Sequence, residues 1–314
     1  LNDEFGIFEI GMDKKGEIDS LSKIIKPNIG VITNISYAHV KNFRNIKQIA
    51  LAKAEIIYNI KENGYLVLNA DDKFYNFHKK IAIQRRLKVL SFSMKKKSSE
   101  IYLNYIKQKK LKFKISININ NINKYFYVKS SSKNDIKNLL AAIAIISIFR
   151  DITKLNNNFF YNSKIPQGRG DISKVKLYKK NFYLIDESYN SNPLSLNSAL
   201  LNFDKIKVDD SKKHLILGDM LELGTHSKKL HIEVIKNINK TSIKNINVIG
   251  KHIVDAHRHL NNTKKCLILK NNSQIIDLIK NNINNNDYLM IKGSNSTGLN
   301  KLTKSIKTGK INAL

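Results

Sequence analysis

The chain has 314 residues, 42% of them hydrophobic, and carries 55 Lys and Arg against 25 Asp and Glu for a formal charge of +30. This length and apolar content predict a globular protein with two ordinary cores, and the longest apolar run, Leu139 to Phe149, is far short of the roughly 20 residues of a membrane-spanning helix. Cys266 is the only cysteine, which excludes an internal disulfide and a cysteine-built metal cage and fits a reducing, cytoplasmic location.

The first half alternates short apolar runs with helical periodicity. Phe5 to Ile10, Ile29 to Thr33, Tyr65 to Leu68 and Val89 to Phe92 read as strands. Glu17 to Ile25, Ile46 to Ile60 and Phe74 to Gln84 carry apolar residues at three-to-four spacing and read as helices. Strand-helix-strand units of this kind build a mostly parallel sheet. Ile101 to Lys107, Leu111 to Ile119 and Tyr125 to Val128 then read as an antiparallel meander, followed by a helix over Asn134 to Phe149.

The Asn-rich stretch Leu155 to Gly170, with Pro166 and two glycines, marks a domain boundary, placed between 164 and 165. A second α/β unit follows. Its strands are predicted at Phe182 to Asp186, His214 to Gly218, Asn245 to Ile249, Cys266 to Leu269 and Asp287 to Ile291. Helices near Pro193 to Phe203, Ser227 to Asn239 and Asn272 to Asn282 separate them, a Rossmann-like pattern. The fold class is therefore α/β, with two units. Ligands of such sheets sit beyond the carboxyl ends of strands, so Asp186, Gly218 to Asp219 and Lys292 to Ser294 fall on one functional edge.

The charge has two readings. Clustered Lys and Arg would serve a nucleic-acid binder. Here, however, the lysines are spread over nearly every segment beside abundant Asn and Ile, and only six basic residues are Arg (44, 85, 86, 150, 169 and 258). Base reading and bidentate phosphate contacts favour arginine, so a compositional bias with a solvated surface is the better account, and no nucleic-acid partner is expected. The positive field still suits a polyanionic small substrate.

The densest chemical cluster lies early: Glu9 ending a predicted strand, Thr33-Asn34 ending the next, His39 soon after, and Lys53 inside a helix. Singly, these are a turn acid, a surface or capping imidazole and one lysine among many. Jointly, both strand ends should face one edge, where a carboxylate and an imidazole can hold a divalent cation. A second cluster, His252, Asp255, His257 and His259, is read as a solvated segment, because positions 257 and 259 point to different faces of a helix.

The segments Phe8-Glu9-Ile10-Gly11, Lys15-Gly16-Glu17-Ile18, Ile32-Thr33-Asn34-Ile35, Ala38-His39, Ala52-Lys53-Ala54-Glu55-Ile56 and Leu68-Asn69-Ala70-Asp71-Asp72 resemble successive blocks of the Mur ligase central ATP-binding domain. The resemblance implies that Glu9 and His39 are magnesium ligands. It implies that Lys53 is the lysine the family carbamylates, a change that replaces an ammonium by two anionic oxygens. Asn134 and Asn138, with Leu-Leu-Ala-Ala behind them, are similar to the family's adenine-side block, although Lys133 stands where a His is usual. Read without the family, Asn134 is a helix N-cap. Gly168-Arg169-Gly170 resembles the interdomain arginine that reaches the ATP phosphates.

In the second half, Leu184-Ile185-Asp186-Glu187-Ser188-Tyr189-Asn190-Ser191-Asn192-Pro193 and Leu217-Gly218-Asp219-Met220-Leu221-Glu222-Leu223-Gly224 resemble blocks of the family branch that adds D-alanyl-D-alanine. That likeness implies that Asp186 contacts the nucleotide side. It also implies that Asn190, Asn192, Asp219, Glu222 and Lys292 frame the substrate, although Asn295 stands where Arg is common. Turn and cap chemistry alone would also account for Asp186 and the Ser-Asn-Pro segment.

The implied architecture is a Mur ligase central domain over 1–164, incomplete at its start, and a Rossmann-like C-terminal domain over 165–314. The implied chemistry is ATP- and magnesium-dependent joining of D-alanyl-D-alanine to UDP-N-acetylmuramoyl-tripeptide through an acyl phosphate, by a monomer. No Gly-x-x-x-x-Gly-Lys-Ser/Thr loop occurs in the 314 residues, so the expectation is a fragment without turnover of its own. A sister amino-acid ligase, an inactive remnant and a nucleic-acid binder are the other readings.

Overall fold

In the computed structural model, residues 4–36, 42–109, 112–163 and 166–310 are described. The chain divides into two compact units, residues 1–163 and 164–314.

The first unit runs α1 (Glu17–Ile25), β1 (Ile29–Ile32), α2 (Ile46–Asn59), β2 (Tyr65–Asn69), α3 (Tyr75–Gln84), β3 (Lys88–Ser93), β4 (Ile101–Lys109), β5 (Lys112–Ile119), β6 (Ile122–Val128) and α4 (Lys133–Ile146). Its six-stranded sheet has the order β1-β2-β3-β4-β5-β6. The first four strands are parallel, and β4, β5 and β6 form the expected antiparallel meander. Asn120 and Asn121 close the β5–β6 hairpin with φ of 45° and 69°, the doubly left-handed turn that asparagine tolerates and that matches strand twist. One core fills the space between the sheet and α4, with Phe92, Ile101, Ile115, Ile117, Phe126 and Leu140 among its buried members.

Local chemistry sets the helix ends. Asn45 caps α2 by accepting Gln48 N–H, and Pro27 follows the left-handed Lys26 that ends α1. The N-terminus of α1 is capped from a distance: the Glu55 carboxylate on α2 accepts Gly16 N–H at 2.9 and 3.0 Å and Asp19 N–H at 3.1 Å.

The predicted strand Phe5 to Ile10 does not form: these residues are irregular. Ile7 is 97% exposed, with Phe5 and Phe8 also open to solvent. Apolar residues make a strand only where a neighbouring strand accepts the ladder, and among the described residues no strand pairs with this segment.

The second unit runs β7 (Asp171–Leu177), β8 (Lys180–Glu187), α5 (Pro193–Asp204), β9 (Lys213–Gly218), α6 (Ser227–Ile238), β10 (Asn245–Ile249), α7 (Lys251–Ala256), β11 (Lys265–Leu269), α8 (Asn272–Asn282), β12 (Tyr288–Lys292) and α9 (Leu299–Thr308). The strand order is β11-β10-β9-β12-β8-β7, parallel except for the β7–β8 hairpin. That hairpin turns on Tyr178 and Lys179, both at positive φ. Because β12 lies between β8 and β9, the chain order reverses there, and the crevice at a sheet's reversal point is the usual ligand position.

Lysines close several helix exits in this molecule. Lys213 Nζ donates to Asp204 O at the end of α5, and Lys180 Nζ donates to Lys280 O and Ile283 O around the end of α8. Lys264 Nζ binds Thr241 O and Ile243 O after α6, and Lys124 Nζ binds Thr153 O. Each ammonium satisfies carbonyls that a helix or turn end leaves unpaired.

Candidate functional site

The carboxyl edge of the first sheet is organised by β2. The Asn69 amide donates to Thr33 O at 3.1 Å, and its oxygen accepts Asp71 N–H. The Asp71 carboxylate accepts Ser93 Oγ at 2.6 Å and Met94 N–H at 2.7 Å from the end of β3. Asp72 accepts Ile35 N–H and Phe74 N–H, each at 2.8 Å. Asn69, Asp71 and Asp72 therefore bind the exits of β1 and β3 to that of β2.

Lys53 projects from α2 to this edge, with Nζ 3.4 Å from Asn34 O. Burial lowers its pKa below the ordinary lysine value, with the Asp72 charge working in the opposite direction. One turn earlier, Ala50 O accepts the Nε2–H of buried His78 at 3.0 Å. Burial likewise lowers the His78 pKa. Sequence reasoning missed His78, since an isolated histidine carries no signal until the packing of α3 on α2 is known.

Glu9 is exposed on the irregular segment rather than at a strand end, and His39 lies outside the described residues. Among the described residues no three His, Cys, Asp or Glu side chains converge as a metal cage. The donor chemistry at Lys53 suits magnesium only after carbamylation, because an ammonium is not a cation ligand.

Asn134 is not the cap of α4. Ser132 is, accepting Asp135 N–H at 3.1 Å, and Asn134 and Asn138 are exposed one turn apart on a single helix face. The competing hydroxyl two residues upstream binds the helix N–H instead.

In the second unit, the exits of β8, β9 and β12 meet at the reversal point. Asp186, 1% exposed and one residue before the end of β8, accepts Ser188 N–H at 3.1 Å, Ser188 Oγ at 2.5 Å and Lys307 Nζ at 2.7 Å. The same ammonium reaches Asp171 at 2.5 Å. Burial opposes the Lys307 charge, but the hydrogen bonds it donates to Asp171 and Asp186 outweigh that and raise the lysine above its ordinary value.

Lys292, 1% exposed, ends β12 and donates to Asn190 O at 3.0 Å and to the backbone and carboxylate of Glu187, each at 3.4 Å. Its pKa is lowered by burial above all, with Glu187 opposing and the nearby Arg169 charge adding to the depression.

After β9, the Asp219 carboxylate accepts Ile253 N–H at 2.7 Å and His252 N–H at 3.3 Å, capping α7 from across the sheet edge. His231 is fully buried. Its Nε2 accepts Met220 N–H at 3.0 Å and its Nδ1–H donates to Ser227 O at 2.7 Å, which fixes a neutral imidazole. Burial also lowers its pKa.

Ser294 joins the three exits. Its N–H donates to Asp219 O at 3.0 Å, its Oγ accepts Leu221 N–H at 2.8 Å and donates to Ser191 O at 3.3 Å. Asn192 is the N-cap of α5 in a reciprocal box with Ser195, ahead of Pro193. Asp186, Asn192, Asp219 and Lys292 are thus bonded into the protein, and Arg169, Asn190 and Glu222 are exposed at the rim, Asn190 with its Oδ1 accepting Ser191 N–H at 2.7 Å. Glu222 has φ of 62°, a left-handed backbone uncommon for a non-glycine residue. His252 approaches His231 with ring centroids 5.5 Å apart and so packs beside the β9 loop, while Asp255 and His259 of the cluster are exposed.

Residues 2–146 match the Mur ligase middle domain, and residues 173–295 match the Mur ligase glutamate ligase domain. Over 301 residues the chain is 29% identical to the UDP-N-acetylmuramoyl-tripeptide--D-alanyl-D-alanine ligase of Rickettsia prowazekii, covering 95% of this chain and 65% of the relative. MurF from Acinetobacter baumannii superposes with a TM-score of 0.80 at 21% identity, over 95% of this chain and 63% of the other. The Thermotoga maritima MurF ligase solved in complex with ADP gives 0.78 at 18% identity, over 98% and 67%. With the middle domain matched across one compact unit and the glutamate ligase domain across most of the other, the chain belongs to the Mur ligase family.

Proposed function

We propose that this chain is the ATP-binding and C-terminal part of a MurF-type ligase, with residues 1–164 serving ATP and residues 165–314 the incoming dipeptide. The observation that carries this reading is the meeting of the β8, β9 and β12 exits on Ser294, which brings the Asp186-to-Pro193 and Gly218-to-Gly224 motifs to one crevice. Those are the motifs that resemble the D-alanyl-D-alanine-adding branch, and the relatives that align along 95% of the chain carry that name.

In the reaction, a carboxylate oxygen of UDP-N-acetylmuramoyl-tripeptide attacks the γ-phosphorus of ATP and ADP leaves, giving an acyl phosphate. The neutral amine of D-alanyl-D-alanine attacks the acyl carbon, the new C–N bond forms, an amine proton is lost and inorganic phosphate departs. No side-chain nucleophile is required. Arg169, exposed beside the crevice, offers five N–H donors to phosphate oxygens, and Asn134 and Asn138 present carboxamides on one helix face to the nucleotide base. Asn190 and Glu222 at the rim meet the dipeptide, while Asp186, Asn192, Asp219 and Lys292 hold the loops in place. Glu9, His39 and Lys53 as its carbamate would hold magnesium, which neutralises crowded phosphate oxygens when bound.

The protein acts in the cytoplasm as a monomer, without nucleic acid. Among the described residues no helix is long and apolar enough to cross a membrane.

The test is ligation by the complete protein with ATP, the tripeptide precursor and D-alanyl-D-alanine, read by product mass. Incorporation of the dipeptide in preference to single amino acids is expected. Product formed only with a single amino acid would assign the chain to a sister ligase.

A further inference from the structure

The guanidinium carbon of Arg169 lies 4.6 Å from the centroid of the Tyr189 ring. The backbone around the arginine is fixed on both sides: Gly168 N–H donates to Asp171, Gly168 O accepts Tyr189 N–H at 3.1 Å, and Gly170 N–H donates to Asp186 O at 2.7 Å. Gly168 has φ of 78°, and a Cβ there would stand 2.9 Å from Tyr189 Cβ, so the arginine loop and the tyrosine loop touch as closely as backbones can. The remaining freedom is in the long arginine side chain. Tyr189, 48% exposed, sets its ring against the guanidinium.

We propose that Tyr189 is a positioning residue, holding the Arg169 guanidinium aimed at the nucleotide phosphates. A cation–π contact draws the guanidinium to the ring without engaging an oxygen acceptor. Tyr189 therefore restricts the arginine while leaving the N–H groups directed away from the ring available to phosphate. A carboxylate partner would orient the side chain but occupy those donors. This inference rests on the assignment of Arg169 to the ATP phosphates.

The experiment is a double-mutant cycle in the complete protein, with KM for ATP and kcat measured for Tyr189→Leu, Tyr189→Phe, Arg169→Ala and the Tyr189→Leu, Arg169→Ala pair, each checked for an unchanged melting profile. Tyr189→Leu is expected to cost about three- to tenfold in kcat/KM for ATP, the range of a partly exposed cation–π contact. Tyr189→Phe should restore most of it, and Tyr189→Leu should have no further effect once Arg169 is gone. An equal penalty from Tyr189→Leu in both backgrounds, or no rescue by Phe, would overturn the proposal while leaving the role of Arg169 intact. Unchanged ATP kinetics in Arg169→Ala would instead remove the phosphate assignment, and this inference with it.

Discussion

Lys307 and Asp186 meet at 2.7 Å across 121 residues of sequence, and through Asp171 the same ammonium reaches the loop that carries Arg169. Asp186 and most of Lys307 are shielded from water.

Lys307→Met should therefore remove the ammonium that bridges two carboxylates and destabilise the protein by about 3 kcal/mol, the scale for removing one partner of a buried pair. Urea unfolding measures it, and a loss within experimental error would show that the pair is replaceable. The alkaline limb follows from the same contact. Because folding raises the Lys307 pKa above 10.5, its contribution is complete below that pH and is lost as the pH climbs through the folded value. In the variant that part of the alkaline decline should vanish.

Acid should act through three buried imidazoles. His78, His214 and His231 all have pKa values lowered from 6.5, chiefly by burial. The unfolded chain binds their protons first, so stability present above 6.5 falls as the pH drops toward the folded values, by up to about 1.4 kcal/mol per pH unit for each proton. Unfolding midpoints at about pH 7.5 and about pH 5.5 test this, and a flat profile would contradict neutral burial.

Lys53→Met should separate stability from activity. Removing an amine whose charge is penalised by burial should raise stability by up to about 1 kcal/mol, while ligase turnover of the complete protein falls at least about a hundredfold. Undiminished turnover would dismiss Lys53 from the chemistry.

Gly250→Ala should disrupt the β9 loop. Gly250 has φ of 119°, and an added Cβ would fall within 2.9 Å of all three Asp219 carboxylate atoms. The cost of about 1–3 kcal/mol in backbone strain alone is readable as a drop in melting temperature. An unaltered melt would mean that Asp219 can release α7 freely.

Periodicity made most of the fold readable. The helices Glu17–Ile25 and Asn272–Asn282 and the strand Asn245–Ile249 form where their apolar spacing puts them. The misses have local causes. Phe5 to Ile10 has strand composition but no ladder, and β7 hides its single buried residue, Val175, among lysines. Helix α9 is capped by glycine rather than by a side chain. The candidate site was legible as residue types at strand exits. What could not be read was which of them turn inward: Lys292, Asp186 and Asp219 find partners 102, 121 and 34 residues away, and no spacing rule reports contacts of that range.

The lysines that close helix exits give the composition another meaning. An amine-acetylating reagent would not merely erase surface charge here; at Lys124, Lys180, Lys213 and Lys264 it would cut the stitches that fasten one element to the next. Reductive methylation, which keeps the positive nitrogen and at least one of its protons, would leave much of that stitching in place.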